Sequence, residues 1–220
     1  PSGETERVLS GFEKMANLIY KETGIVIEPF VASSYTSAIE AMCQEPPKAH
    51  MGSLATFAYI LAAANGCAET ALVSTRYDTA FYNGQFIVRT DSGIEKLEDL
   101  KGKSWCIPYK NSTSGEIIPS IMLKGVGIDP ATDLGEIVEA GSHEAAAAGV
   151  YKGDCDFATT YVDARSRIDS VAPEATDIMD VTKIIAIEPD IPNDGIQFVT
   201  GFPVELKEKL IEAILNLFNT

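Results

Sequence analysis

The chain has 220 residues and a mass of 23.6 kDa, with 17 basic against 32 acidic side chains and a formal charge of −15 at pH 7. A chain of this mass buries about 70% of the surface it exposes when unfolded, so a proper core is expected, in one large domain or two small ones. With 45% apolar and 22% charged residues it falls outside the disordered class, and an acidic field of this size repels nucleic acid and anionic membranes, which removes both as partners.

In chain order, residues 4–21 carry Val8, Phe12, Met15 and Ile19 at helical spacing, with Gly24 as the stop. Ile25–Val31 reads as a strand, and Ser34 caps a short helix to about Cys43. Ser53 is placed to cap a helix over Leu54–Asn65 closed by Gly66, and Ala71–Thr75 and Gln85–Arg89 are β-branched or aromatic strand runs. The rhythm repeats with a strand Ser104–Ile107, a helix from about Ser114, a strand Glu136–Glu139, a helix from about Ser142 and a strand Cys155–Thr159. After strands at Ile184–Ile187 and Ile196–Val199, Pro203 opens a terminal amphipathic helix. Such alternation predicts an α/β protein with mainly parallel sheets, which bind ligands where strand ends lead into helix starts. No segment is the roughly 18 uninterrupted apolar residues needed to cross a bilayer. No basic-then-apolar leader opens the chain, so an exported form is expected to have shed one before Pro1.

The four cysteines (43, 67, 106, 155) include no C-x-x-C pair, and disulfides or buried thiols fit the count equally. The two histidines, His50 and His143, stand far apart and no H-E-x-x-H occurs, so no metal and no cofactor is expected.

The chemistry concentrates in Asn111-Ser112-Thr113-Ser114-Gly115, where a strand ends and an apolar helix starts. The first N–H groups of a helix lack internal partners and carry the positive end of its dipole. Three hydroxyls there make a nest of donors for a tetrahedral oxyanion, and the same residues also fit a plain N-cap and turn. Ser33-Ser34-Tyr35-Thr36, Gly52-Ser53 and Gly141-Ser142-His143-Glu144 have similar form; each alone reads as a cap, and together they fit one cleft.

This pattern resembles the substrate-binding proteins of phosphate/phosphite/phosphonate ABC transporters, within the type 2 periplasmic binding protein group. The resemblance runs over nearly the whole chain. It is carried by Asn111–Gly115 with Pro119, Tyr35 in Ser-Ser-Tyr-Thr-Ser-Ala-Ile-Glu-Ala, Gly52-Ser53-Leu-Ala-Thr-Phe-Ala-Tyr59 and Tyr82. Glu98-Asp-Leu-Lys-Gly102, Ala140-Gly-Ser-His143-Glu, Gly153-Asp-Cys-Asp156 and Ile191-Pro-Asn-Asp194 complete it. It implies two α/β lobes, each a mainly parallel sheet flanked by helices, joined by a two-strand hinge: residues 1–82 plus 193–220, reading as trimmed at both ends, and 83–192. It implies ligand contacts from Ser112, Thr113 and Ser114, and from Tyr35, Tyr82, His143, Asp194 and Ser53. Asp163 matches a position where relatives that take aminoalkylphosphonates keep an acid for the amine. It further implies a monomeric periplasmic or membrane-anchored extracellular protein, not an enzyme, whose partners are a small oxyanion and an ABC permease. Pro119 falls beyond the first helical turn, where it removes a ladder hydrogen bond.

The net charge does not oppose this reading, because salt screens the field beyond roughly 8–10 Å and local donors decide binding. Two other functions compete. A sensor domain of the same fold passes the ligand signal to a signalling partner; the resemblance includes arsenite-binding relatives that use a cysteine as ligand, an option Cys106 keeps open. A hydrolase uses Ser114 or Ser112 as nucleophile and His143 as base, but the sequence has neither a G-x-S-x-G elbow nor a P-loop.

Overall fold

The computed structural model describes residues 5–218; Glu4, the expected start of the first helix, lies outside them. In chain order the elements are α1 (Thr5–Thr23), α2 (Tyr35–Cys43), β1 (Met51–Leu54), α3 (Thr56–Ala64), β2 (Ala68–Val73), β3 (Phe81–Tyr82), β4 (Gly84–Arg89) and β5 (Trp105–Ile107). A π-helical turn (Thr113–Ile117) runs into α4 (Ile118–Gly125), followed by α5 (Pro130–Asp133), β6 (Ile137–Glu139), α6 (His143–Lys152) and β7 (Phe157–Tyr161). A 3-10 segment (Ala164–Ser170), α7 (Ile178–Val181), β8 (Thr182–Ile187), β9 (Ile191–Pro192), β10 (Gly195–Val199) and α8 (Val204–Phe218) complete the chain. It divides into two compact units, residues 1–74 with 194–220, and residues 75–193.

The first unit has a three-stranded sheet, β1-β10-β2, antiparallel throughout. On one face α2 and α3 bury Ile39, Met42, Leu54, Ala58 and Ala62. On the other, α1 and α8 close over Phe198 with Ile19, Leu210 and Ile214. Gln197, buried in the central strand, accepts from Leu54 N at 2.8 Å through Oε1, so its amide oxygen is satisfied where water is excluded. Cys43 and Cys67 form a disulfide that ties the end of α2 to the start of β2.

The second unit has a five-stranded sheet, β6-β5-β7-β4-β8, with β6, β5 and β7 parallel and β4 antiparallel to both neighbours. One face packs Ile87, Cys106 and Ala158 against Ala146, Ala147 and Val150 of α6. The other packs Phe86, Val88, Trp105, Ile107 and Phe157 against Leu123 of α4. A second disulfide, Cys106–Cys155, joins β5 to the turn before β7. Because that sulfur is bonded and buried, Cys106 offers no thiolate to an arsenite-type ligand.

Three expectations are corrected. Neither sheet is mainly parallel, the first being antiparallel and the second mixed: alternation of strand and helix marks the elements but not their direction, and β10 and β4 enter their sheets antiparallel. Ile25–Val31 has the period-two burial of a strand, with Val26 and Phe30 exposed, but it is in no ladder among the described residues, and Pro29 has no N–H to give one. Ser53 caps nothing; the β1–β10 ladder runs on to Leu54↔Gly195, so the helix begins only at Thr56, behind Ala55, which makes no side-chain cap.

Candidate functional site

The helix start at residues 112–117 is built as a closed knot. Asn111 takes a left-handed turn at φ 65°, which an asparagine tolerates, and its N–H donates to Glu116 Oε2 at 2.5 Å. Ser112 is the N-cap, its Oγ accepting from Gly115 N at 3.1 Å. Its carbonyl accepts from both Glu116 N at 2.9 Å and Ile117 N at 3.0 Å, the wider ring of a π turn. The N–H groups of Thr113 and Ser114 precede that ladder. Gly115 is required by close approach: a Cβ there would stand 2.2 Å from Pro108 Cγ and 2.7 Å from Ser112 Oγ. Ser112, Thr113 and Ser114 are 1%, 5% and 2% exposed, so their hydroxyls work in a dry environment where hydrogen bonds count for more.

Pro119, which carries no N–H, leaves the carbonyl four residues before it without its helical donor. Thr159 fills the gap from the sheet, its Oγ1 donating to Gly115 O at 2.6 Å and accepting from Trp105 Nε1 at 2.8 Å. The nest is therefore fastened to β5 and β7 by buried bonds.

His143 opens α6 behind the N-cap Ser142, whose Oγ accepts from Ala145 N at 2.9 Å. The ring lies between two contacts: Tyr161 N donates to Nδ1 at 3.3 Å, and Nε2 is 3.5 Å from Ser112 Oγ. With Nδ1 an acceptor, the proton of a neutral ring sits on Nε2, facing Ser112. Burial pushes the imidazole down to about 4, against the opposing pull of Glu144, so it is neutral at pH 7. A protonated Nε2 cannot take a proton from Ser112, and the hydrolase reading loses its base. Glu144 is occupied by Tyr161, whose phenol donates to Oε1 at 2.6 Å and is pushed up by burial and by that carboxylate. The result is a set of neutral donors — hydroxyls, N–H groups and an imidazole N–H — suited to holding an oxyanion without a competing counter-ion.

Ser112, Thr113, Ser114 and His143 are thus brought together in the second unit. Asp163 is exposed two residues beyond Tyr161, where its charge helps to raise that phenol. Tyr82 sits in β3 opposite Ile191. Tyr35, Ser53 and Asp194 belong to the first unit: Tyr35 opens α2 half-buried, Ser53 is exposed on β1, and the Asp194 carbonyl accepts from Ser74 N at 2.9 Å. Sequence reasoning missed Glu144, Tyr161 and Thr159. The first stood in the quoted Ala-Gly-Ser-His-Glu run; the other two reach the site only through strand pairing, which leaves no local signal. Among the described residues no group of three His, Cys, Asp or Glu is placed to hold a metal ion, and no helix is long and apolar enough to cross a membrane.

A family model for the periplasmic substrate-binding protein of phosphonate ABC transporters matches residues 1–220. The phosphate-import protein PhnD of Mycolicibacterium smegmatis is 26% identical over 166 residues, covering 71% of this chain and 51% of that protein. The chain thus spans about half the length of that curated relative. A binding-protein component of an ABC phosphonate transporter from Pseudomonas aeruginosa superposes with a TM-score of 0.79 at 24% identity, over 95% of this chain and 69% of that one. PhnD1 from Prochlorococcus marinus, in complex with methylphosphonate, gives 0.80 at 16% identity, over 99% and 82%. These likenesses establish the two-lobed periplasmic binding protein fold, and the full-length match shows that the chain belongs to the family of periplasmic substrate-binding proteins of phosphonate ABC transporters.

Proposed function

We propose that the chain captures a small tetrahedral oxyanion, of phosphonate, phosphite or phosphate type, on the Ser112–Ser114 nest and delivers it to the transmembrane subunits of an ABC importer. The observation that carries this reading is the buried run of three hydroxyl residues at a helix start, faced by an imidazole whose Nε2 bears its proton. Family membership and the ligands named for two relatives, phosphate and methylphosphonate, point the same way. The reading adds Tyr35, Ser53 and Asp194 from the first unit, and Tyr82 and Asp163 from the second, to the ligand set. Its lobes are residues 1–82 with 193–220, which counts Tyr82 with the first, and 83–192. The protein it describes is a non-catalytic monomer outside the cytoplasm, either periplasmic or extracellular and membrane-anchored as a lipoprotein.

A thermal-shift panel of phosphate, phosphite, methylphosphonate, 2-aminoethylphosphonate, sulfate and arsenite tests it. A true ligand at a hundred times its Kd stabilises the protein by about 2.7 kcal/mol. At least one phosphorus oxyanion is expected to shift the wild type, and none the variant with Ser112, Thr113 and Ser114 replaced by alanine. A triple variant that shifts like wild type contradicts the site.

A further inference from the structure

Glu188, between β8 and β9, is 2% exposed, and neither carboxyl oxygen meets a donor among the described residues. A buried acid without partners is rare, since each such group costs free energy that folding must offset. Its place in the unit is specific. Its backbone N–H donates to Gly84 O at 2.9 Å, and its carboxyl lies where a side chain of Gly84 would be, 2.1 Å from the position of a Cβ. Glycine at 84 is what allows the acid to lie against the strand. Side chains alternate along β4, so that side of Gly84 is the face of Phe86 and Val88, the same face on which Thr159 holds Gly115. Gly84 pairs with Tyr161 and Phe86 with Thr159, so the strand position that the acid lies against is two residues, about 7 Å along the strand, from the pair that includes the nest's anchor. The π-helical turn packs across both β4 and β7. Tyr161, the partner of Gly84, is also the residue that donates to His143.

We propose that Glu188 is a specificity-determining residue of the Ser112–Ser114 site: its carboxyl hydrogen is donated to one oxygen of the bound oxyanion, while its carbonyl oxygen accepts from a protonated one. The inference rests on the reading that the nest holds a tetrahedral oxyanion, and it names the form selected: a singly protonated phosphorus oxyanion, over one without a hydroxyl such as sulfate. Burial alone raises Glu188, to about 9, so the neutral form is present at pH 7. The titratable groups on the elements next to it are Asp190 two residues on, bonded by Asn83 Nδ2 at 2.9 Å, Tyr161 across from Gly84, with Glu144 and His143 bonded to it, and Glu116 on the π-helical turn that packs on β4. None contributes to the shift of Glu188, whose cause is burial alone. Lys183, on β8, is bonded to Glu95.

Calorimetric titration of the whole chain with methylphosphonate and with sulfate, between pH 7 and 10, tests the proposal on wild type, Glu188→Gln and Glu188→Leu. Glu188→Gln, which keeps a donor and an acceptor, is expected to bind methylphosphonate within about threefold of wild type at pH 7. Glu188→Leu is expected to lose about 10- to 100-fold, the worth of one or two bonds to a charged ligand, with a smaller preference over sulfate. Above pH 8 wild type is expected to weaken more steeply than Glu188→Gln, the comparison cancelling the ligand's own titration. Glu188→Leu binding within twofold of wild type overturns the proposal, as do parallel pH profiles for wild type and Glu188→Gln; the second result decides if Glu188→Leu fails to fold. Wild type that binds no phosphorus oxyanion overturns the parent reading instead.

Discussion

A histidine beside a serine invites a catalytic reading, and at His143 the proton stands on the wrong nitrogen for it. Tyr161 N donates to Nδ1, so Nε2 presents a hydrogen to Ser112 instead of a lone pair. The same contact has a pH signature. The folded ring is held down to about 4 by burial, while an unfolded histidine titrates near 6.5, so between those values the folded protein binds fewer protons than the unfolded chain. Stability therefore falls as pH drops from 7 towards 4. At pH 5 the wild type is expected to lose about 2 kcal/mol more than His143→Gln, measured by urea unfolding at pH 7 and pH 5. Equal losses contradict a buried neutral ring. At this scale the grouping of Ser112, Thr113 and Ser114 was legible, because hydroxyls at a helix start form a local pattern, while His143 was named mainly from the resemblance. Tyr161 and Thr159 were not, since each reaches this helix start only through strand pairing.

Pro119 shows the same division between elements. Its position past the first turn is visible in the sequence as an irregularity without a cause. The structure supplies the cause: the helix opens as a π turn, and the carbonyl of Gly115 takes its hydrogen from Thr159 on β7. Thr159→Val is expected to strand two buried groups, Gly115 O and Trp105 Nε1, and to cost about 2–4 kcal/mol in urea unfolding. A loss under about 0.5 kcal/mol contradicts that role. Helices were read well from periodicity, as α2 with its Ser34–Ser37 capping box shows. Strand direction was not, since the direction of β4 and β10 depends on long-range pairing. Residues 25–31, read as a strand, have its period-two burial but join no ladder among the described residues, because a ladder needs a partner as well as a pattern.

For the molecule as a whole, both disulfides lie inside single units, Cys43–Cys67 in the first and Cys106–Cys155 in the second. They close loops across separations of 24 and 49 residues, which by chain entropy stabilise the fold by about 3.5–4 kcal/mol each. Such bridges agree with the family's extracytoplasmic setting. The family was legible from the resemblance because it rests on a compact run, Asn111–Gly115, backed by motifs spread along the whole chain. A charge of −15 does not oppose the proposed anion site, since salt screens the overall field within about 10 Å and neutral donors close to the ligand decide binding. The most direct test is a crystal structure of the protein with methylphosphonate. The account requires the phosphonate oxygens within about 3 Å of the Ser112, Thr113 and Ser114 hydroxyls, with His143 Nε2 turned towards them; a phosphonate seated elsewhere, with this helix start untouched, contradicts it.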